Sequence, residues 1–537
     1  MKLRLYLFFL LLTHCALALW HPDHTLMWDD EASVVWFAKN YNREGKIVAY
    51  DRQNIFSYRN GQLIDNQLGY NNPPVDIYYA AAVIRKFGDS DRVLRIAFTL
   101  PGILALLMYL GCLRKLTDED NTWFAYTATL LTLSVNYLLI EQNVRYYSLN
   151  FLFAALSLLA TLNVIGNTTK RSRIFWLLLQ VAALYLLFLS HSLAAVCWWA
   201  MCLWLMYRGK VLRFSFRHRL SVTIAAANAL LFVADAYFFI SQNSLNRPDL
   251  NNRDNWIVKY RKLAEWLFVD LNALNVLPLI AALILLLIFL FRRKTLSPAM
   301  KTLLEAETIF LLLILILNPQ PTSASAHFDV RYLYIILPLL YAWTAYLLTV
   351  LHRINAWGKV AAITATGIFV CSTLFSCIPS PDGPRLLLPS YIEERSKPFP
   401  TAYSALIQYI HQHFDGRKKI LTLPGYHNTV LLRYVPELIE LTNTLDSATT
   451  PLSHRTVDSL NMHCLYIGAC KPDYVFQFGS TETLADYPFK VTDFRFSDTL
   501  WIYAAEVDIT RPELFWHSFG PRALSDSSRQ ALYIFHD

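Results

Sequence analysis

The apolar runs constrain this chain more than any motif does. Crossing a hydrocarbon core about 30 Å thick takes roughly 20 residues of helix. Runs near that length occur at 3–20, 94–113, 123–140, 146–165, 174–190, 192–207, 220–240, 273–291, 303–318, 332–351 and 359–378. Read as spans, they make a mainly α, polytopic membrane protein with about 11 transmembrane helices. The first run follows Lys2 and Arg4, as in a signal peptide. No convincing small-x-small cleavage site precedes Trp20-His21-Pro22, so a retained first span is expected.

Composition agrees, because 55% hydrophobic against 16% charged residues leaves too few charges to solvate a soluble domain of 537 residues. A net charge of +8 would suggest nucleic acid in a soluble protein, but here the basic residues gather between apolar runs. Lys2/Arg4, Arg114/Lys115, Lys170/Arg171/Arg173, Arg208/Lys210/Arg213/Arg217/Arg219, Arg292/Arg293/Lys294/Lys301 and Arg353/Lys359 fall on one side. Short loops on the other side hold mainly Arg145, Arg331 and a few residues between 247 and 262. The positive-inside rule then puts the N-terminus in the cytoplasm and, after an odd number of spans, the tail outside. Membrane lipid is the implied partner; nucleic acid is not.

This topology divides the chain into a transmembrane domain, 1–378, with a large first outer loop at 21–91, and an extracytoplasmic domain, 379–537. In the loop, Asn72-Pro73-Pro74 introduces VDIYYAAAVIRKF, Val75 to Phe87, which is too short to span. Prolines suit its entry, and its aromatic and basic ends suit a helix lying in the interface. In the tail, strand-like Lys419–Leu423, Tyr474–Phe478 and Leu500–Ala505 alternate with helix-like Tyr403–Phe414 and Asn428–Tyr434. That pattern predicts a small α/β domain. Cys464 and Cys470 lie in this tail and could pair in an oxidising compartment. No cysteine and histidine spacing resembles a zinc site.

Four polar stretches reach the outer side on this topology. Trp28-Asp29-Asp30-Glu31-Ala32-Ser33 opens the first loop, and Glu141-Gln142-Asn143-Val144-Arg145-Tyr146-Tyr147 joins the third run to the fourth. Ser190-His191-Ser192 forms the apex of a helical hairpin, and His327-Phe328-Asp329-Val330-Arg331-Tyr332 precedes the tenth run. Ionisable groups at span edges are costly to desolvate and tend to be functional. Each stretch also has a plain structural reading. Asp29 or Asp30 makes a good N-cap for EASVVWFAKNY. Arg145 and Arg331 can snorkel to headgroups, His191 can be a satisfied turn residue, the tyrosines an aromatic belt and Asn72-Pro73-Pro74 a helix start. None of these readings requires a common side.

Group transfer from a phosphorylated lipid does require one. Arg145 and Arg331 would neutralise the donor phosphate and stabilise it as it departs. A carboxylate would take a proton from an acceptor hydroxyl or amine as it attacks the sugar carbon. Mutual repulsion among adjacent acids favours protonation and makes a better base.

The order of these motifs over about 20–350 resembles the GT-C class of integral membrane glycosyltransferases. The nearest branch is that of protein O-mannosyltransferases and lipid A aminoarabinose transferases. Asp30-Glu31-Ala32 is similar to that branch's acidic pair after the first span, with Asp29 extra. Asn72-Pro73-Pro74 is similar to its His-Pro-Pro motif, Arg95-Ile96-Ala97 to its arginine-led entry to the second span, and Gln142–Tyr147 to its Gln-Glu-Ala-Arg-x-Tyr motif. His191 matches a histidine atop a later hairpin, and Arg331-Tyr332-Leu333 matches an Arg-Tyr-Leu entry to a late span. Asparagine at 72 replaces a histidine and asparagine at 143 replaces an acid that Glu141 could restore, so contacts there stay open.

The resemblance implies an inverting transfer of a sugar from a polyprenyl-phosphate donor to a glycan, lipid or protein acceptor. It makes Asp30 the base, supported by Asp29 and Glu31. It puts Arg145 and Arg331 on the donor phosphate, lines the site with Tyr147 and His191, and counts Asn72 among the substrate contacts. No cofactor is assumed, although the acids with His191 could hold a divalent ion. A transporter or flippase is the main rival, yet such proteins place charges near the bilayer midplane. Here Asp235, toward the outer end of 220–240, is one exception among mostly uncharged spans. A non-catalytic assembly protein and a polysaccharide ligase or polymerase are further rivals. The expected location is a bacterial inner membrane with the site on the extracytoplasmic side; a eukaryotic endomembrane enzyme would face the lumen in the same way.

Overall fold

Continuous apolar sequence satisfies its backbone internally only as helix within lipid, and helices occupy most of the runs named above. The computed structural model describes residues 2–27, 29–48, 51, 54, 74–117, 120–166, 169–209, 230, 233, 284, 287, 296–317, 334–371, 387–396, 402–414, 418–423, 428–440, 473–478, 495–502 and 530–536. Runs 220–240 and 273–291 lie almost wholly outside them, as do Asn72, His327, Arg331, Cys464 and Cys470 entirely.

Helices α1 (Lys2–Leu19), α2 (Asp29–Glu44), α3 (Pro74–Phe87) and α4 (Asp91–Leu116) come first. They are followed by α5 (Asn121–Thr132), α6 (Val135–Gln142), α7 (Tyr147–Gly166), α8 (Lys170–Ser190) and α9 (Ser192–Arg208). Then come α10 (Pro298–Leu317), α11 (Leu337–Ile354), α12 (Ala356–Cys371), α13 (Leu387–Ser396), α14 (Ala402–His413) and α15 (Asn428–Tyr434). Among the described residues, five strands lie toward the C-terminus: β1 (Lys419–Leu423), β2 (Ile439–Glu440), β3 (Tyr474–Phe478), β4 (Arg495–Ile502) and β5 (Gln530–His536). The chain divides into two compact units. One comprises Met1–Trp20, Phe98–Glu393 and Pro512–Ala523; the other comprises His21–Ala97, Glu394–Arg511 and Leu524–Asp537. Contacts therefore group 21–97 with 394–511 and 524–537, across the boundary drawn from sequence at 378/379.

In the helical unit and the helix that enters it, Asp91–Leu116, Tyr147–Gly166, Arg171–Ser190 and Tyr334–Ile354 are long and apolar enough to cross a membrane. Their most apolar windows have a mean hydropathy of 1.8 to 2.1, as a polytopic membrane protein requires. Large apolar side chains remain exposed along these and neighbouring helices, among them Phe8 and Phe9 of α1 and Phe175 and Leu178 of α8. In water such stripes would be unfavourable; hydrocarbon removes the cost. Aromatic rings fill the interior, where Trp198 meets Tyr109 at 6.4 Å and Phe310 at 5.9 Å between centroids, both edge-on.

One expected span differs. In place of a continuous helix over 123–140, the chain forms α5 and α6 with a break at Leu133–Ser134. The Ser134 hydroxyl accepts from the Tyr137 amide at 3.2 Å and bonds the Tyr341 hydroxyl at 2.5 Å. A hydroxyl that caps one helix competes with continuation of the preceding one.

In the second unit the sheet order is β2-β1-β3-β5-β4, with β1 parallel to β2 and β3, and β5 antiparallel to β3 and β4. Helix α15 lies between the parallel strands β1 and β2 in sequence, as such a connection demands. Leu406, Tyr409 and Ile410 of α14 pack with Leu431 and Leu432 of α15, Ile420 of β1 and Phe476 of β3. Strands β1 and β3 occupy the residues expected of them, while β4 begins earlier than Leu500.

Candidate active site

Asp29, Asp30 and Glu31 form the first turn of α2, where the helix dipole favours carboxylates. Glu31 and Asp30 do not share one environment. Glu31 is 2% exposed, and a buried carboxylate persists only with a partner. Arg95, near the start of α4, supplies it: Nη2 donates to Oε2 at 2.9 Å and Nε to Oε1 at 3.4 Å. Arg95 also donates to the carbonyls of Pro22 at 2.8 Å, Thr25 at 3.0 Å and Leu26 at 3.2 Å. One guanidinium thus ties the acidic turn to the segment that leads into it. Asp30 is half-buried, and its carbonyl accepts from the Ser33 hydroxyl at 2.8 Å. Glu31, expected beside the base, is engaged as a structural ion pair.

Farther along the same unit, Asp89 bonds Lys39, and that bond holds the Asp89 carboxyl below its usual range.

The helical unit contributes a second cluster. Helix α6 ends at Gln142, Asn143 takes an extended conformation, and α7 starts at Tyr147. In the short link, the half-buried Arg145 guanidinium stands 5.1 Å from the Tyr146 ring centroid and 6.0 Å from that of Tyr147. Aromatic faces orient a guanidinium, the side chain whose planar fork suits a phosphate. His191 separates α8 from α9, and its Nδ1 accepts from the Ala194 amide at 3.1 Å. A neutral His191 therefore carries its hydrogen on Nε2. Its ring meets Tyr146 edge-on at 5.2 Å. Arg145, Tyr147 and His191, named separately from sequence, are gathered around Tyr146.

Glu141 does not join them. Its Oε1 lies 2.9 Å from His14 Nε2, with both side chains fully buried. His14 Nδ1 meets the Thr132 carbonyl at 2.7 Å, which accepts only, so Nδ1 bears a hydrogen. Next to it, Gln142 Nε2 donates to the Ala18 carbonyl and to the Tyr391 hydroxyl, each at 2.8 Å. These bonds fix α1 against the end of α6. Sequence reasoning missed this pair, although a lone histidine inside KLRLYLFFLLLTHCALAL was a usable signal. Asn72 and Arg331 fall outside the described residues. Among the described residues, no three His, Cys, Asp or Glu side chains assemble as a metal site.

No family model matches the sequence, and no curated protein matches it. Solved structures do match in fold. The crystal structure of ArnT from Cupriavidus metallidurans bound to undecaprenyl phosphate matches with 13% identity and a TM-score of 0.50, over 99% of this chain and 97% of that one. Its apo state gives 12% and 0.52, over 98% and 97%. The Archaeoglobus fulgidus oligosaccharyltransferase, in complex with Zn and sulfate, gives 13% and 0.49, over 88% and 68%. At such identity the likeness is one of fold. This chain has the fold of ArnT, a GT-C membrane glycosyltransferase, along nearly its whole length.

Proposed function

We propose that this protein is an inverting glycosyltransferase that moves a sugar from a polyprenyl-phosphate donor to an acceptor at the outer face of the membrane. The observation that carries the reading is the likeness in fold to ArnT over nearly the whole chain, one of whose structures holds undecaprenyl phosphate. Two features of this chain's own residues support it: an acidic helix start and a guanidinium held among aromatic faces.

In this reading the acceptor hydroxyl or amine attacks the anomeric carbon from the face opposite the phosphate. The bond from that carbon to the phosphate oxygen breaks, and its electrons leave with the polyprenyl phosphate. Asp30 takes the acceptor's proton, with Asp29 beside it in the same turn. Arg145 stabilises the charge gathering on the departing phosphate, as does Arg331; Tyr147, His191 and Asn72 contact substrate. No cofactor is assumed, and a chelator arm in the assay reads any metal requirement. The acceptor is a glycan, lipid or protein, and the membrane is the bacterial inner membrane, with the site and tail outside.

The test is release of polyprenyl phosphate from labelled polyprenyl-phosphate sugars by the full chain in lipid nanodiscs. Asp30→Asn lowers turnover by about 10²-fold or more in a protein that still folds. Unchanged turnover in that variant removes Asp30 from the chemistry. Donor that crosses the bilayer of proteoliposomes without yielding product would instead mark a flippase.

A further inference from the structure

The segment that leads into the acidic turn, 21–27, is held by side chains far away in sequence. His21 itself sits at φ 42°, a left-handed conformation that costs a non-glycine residue free energy and persists only where neighbours hold it. Arg395 is 3% exposed, and its Nη1 donates to the His21 carbonyl at 3.2 Å and meets His24 Nδ1 at 3.2 Å. At the other end, the Met27 amide donates to the Tyr434 hydroxyl at 2.7 Å. That hydroxyl in turn donates to the Asp91 carboxylate, which Arg433 also engages, with Nε at 3.1 Å from Oδ1. Arg433 Nη2 reaches the Asp89 carbonyl at 2.8 Å, and Asn54 donates to the Leu438 carbonyl at 3.0 Å. Burial and the Asp91 charge push the Tyr434 hydroxyl far above its usual range, so it stays a proton donor.

We infer that the C-terminal segment is a positioning element for the acidic turn: Tyr434 and Arg395 fix the 21–27 lead-in and through it set where Asp30 stands. Met27 lies two residues before α2, so a displaced Met27 amide displaces the turn directly. The core of α14, α15, β1 and β3 is closed by apolar side chains, with the Tyr434 ring packed on its edge. That core has no use for the hydroxyl, which is directed instead at Met27 and Asp91. Tyr434 and Arg395 are positioning residues, since neither is assigned a contact with substrate. The consequence for turnover rests on the proposed role of Asp30, whereas the hold on 21–27 stands without it.

Tyr434→Phe tests this because it keeps the ring and removes only the hydroxyl. In the full chain in nanodiscs, the expected result is a fall in kcat of roughly 10-fold with KM for the polyprenyl-phosphate sugar little changed. Amide hydrogen exchange across 21–31 rises in the same variant. Arg395→Met does the same, and Arg395→Lys recovers part of the loss. Unaltered exchange and kcat in both Tyr434→Phe and Arg395→Met overturn the inference. A lowered melting temperature with normal exchange and normal kcat in the folded fraction also overturns it, because stability alone is then at stake. If the wild type releases no polyprenyl phosphate from any such donor, the transferase reading fails. Exchange across 21–31 still decides whether the lead-in is held.

Discussion

Two carboxylates, Glu31 in one unit and Glu141 in the other, are both buried and both meet a basic partner at 2.9 Å. Their partners differ, and so does what each pair can do. Arg95 is permanently charged and donates to backbone carbonyls of three residues besides Glu31, so its pair is the hub of a loop. Among the described residues, His14 bonds one further group, the Thr132 carbonyl, and an imidazole, unlike a guanidinium, has a neutral form. The first pair organises backbone. The second joins α1 to α6.

The largest effect that sharpens this contrast comes from Glu31→Ala. It strands the buried Arg95 guanidinium and should cost about 3–5 kcal/mol of stability, read as chemical unfolding in detergent. Replacing whole pairs is the test that can break the comparison. Where an ion pair does nothing but pair, apolar residues of similar volume replace it at little cost. His14→Leu with Glu141→Met removes both charges and costs one carbonyl, that of Thr132, its His14 donor, so it should recover the larger part of what Glu141→Ala loses. Glu31→Leu with Arg95→Met should not, because the carbonyls of Pro22, Thr25 and Leu26 lose their donor. Equal recovery in the two double variants would make the pairs equivalent.

The sequence carried part of this. Among the described residues, hydropathy located most of the apolar helices, and alternation located β1 and β3, because both signals are local. The break at Ser134 was hidden, since a window long enough to find a span averages over one capping hydroxyl. At the site, the acidic triplet was legible as a group, but not that Glu31 is buried. That depends on Arg95, which lies 64 residues on. Tyr434 lies 407 residues from Met27, a pairing set by tertiary structure and by no periodicity. His191 and Arg145 were read as separate features. Their common neighbour Tyr146, which joins them, carried only the signal of an aromatic belt.

A middle-sized effect probes how tightly the Glu141 side is packed. A Cβ on Gly102 of α4 would fall 2.4 Å from Glu141 Cβ and 2.9 Å from its Oε2. Gly102→Ala therefore pushes the carboxylate off His14 or moves a helix, at roughly 1–3 kcal/mol. Combining it with Glu141→Gly should relieve most of that cost, because the Cβ that stands nearest is then gone with the carboxylate. Additive losses in the double variant would show that the glycine is required by something other than Glu141.

The smallest effect lies at the exposed end of the other unit. Lys39 and Asp89 form an ion pair whose side chains are 42% and 48% exposed, so solvent screening keeps its worth below about 1 kcal/mol. The bond to Lys39 lowers the Asp89 carboxyl in the folded chain, so the unfolded chain binds that proton more readily. The pair's contribution is therefore fully present above about pH 4, the range of an unperturbed aspartate, and fades as pH falls through the folded value. The wild type should exceed Asp89→Asn in stability by a small constant amount from neutral pH down to about pH 5, and the gap should close on further acidification. High salt should narrow the gap at neutral pH as well, since these charges are open to counterions. A gap that widens in acid would reverse the sign and remove Lys39 as the cause. The buried Glu31 and Arg95, 2% and 6% exposed at their side chains, should show almost none of that salt dependence.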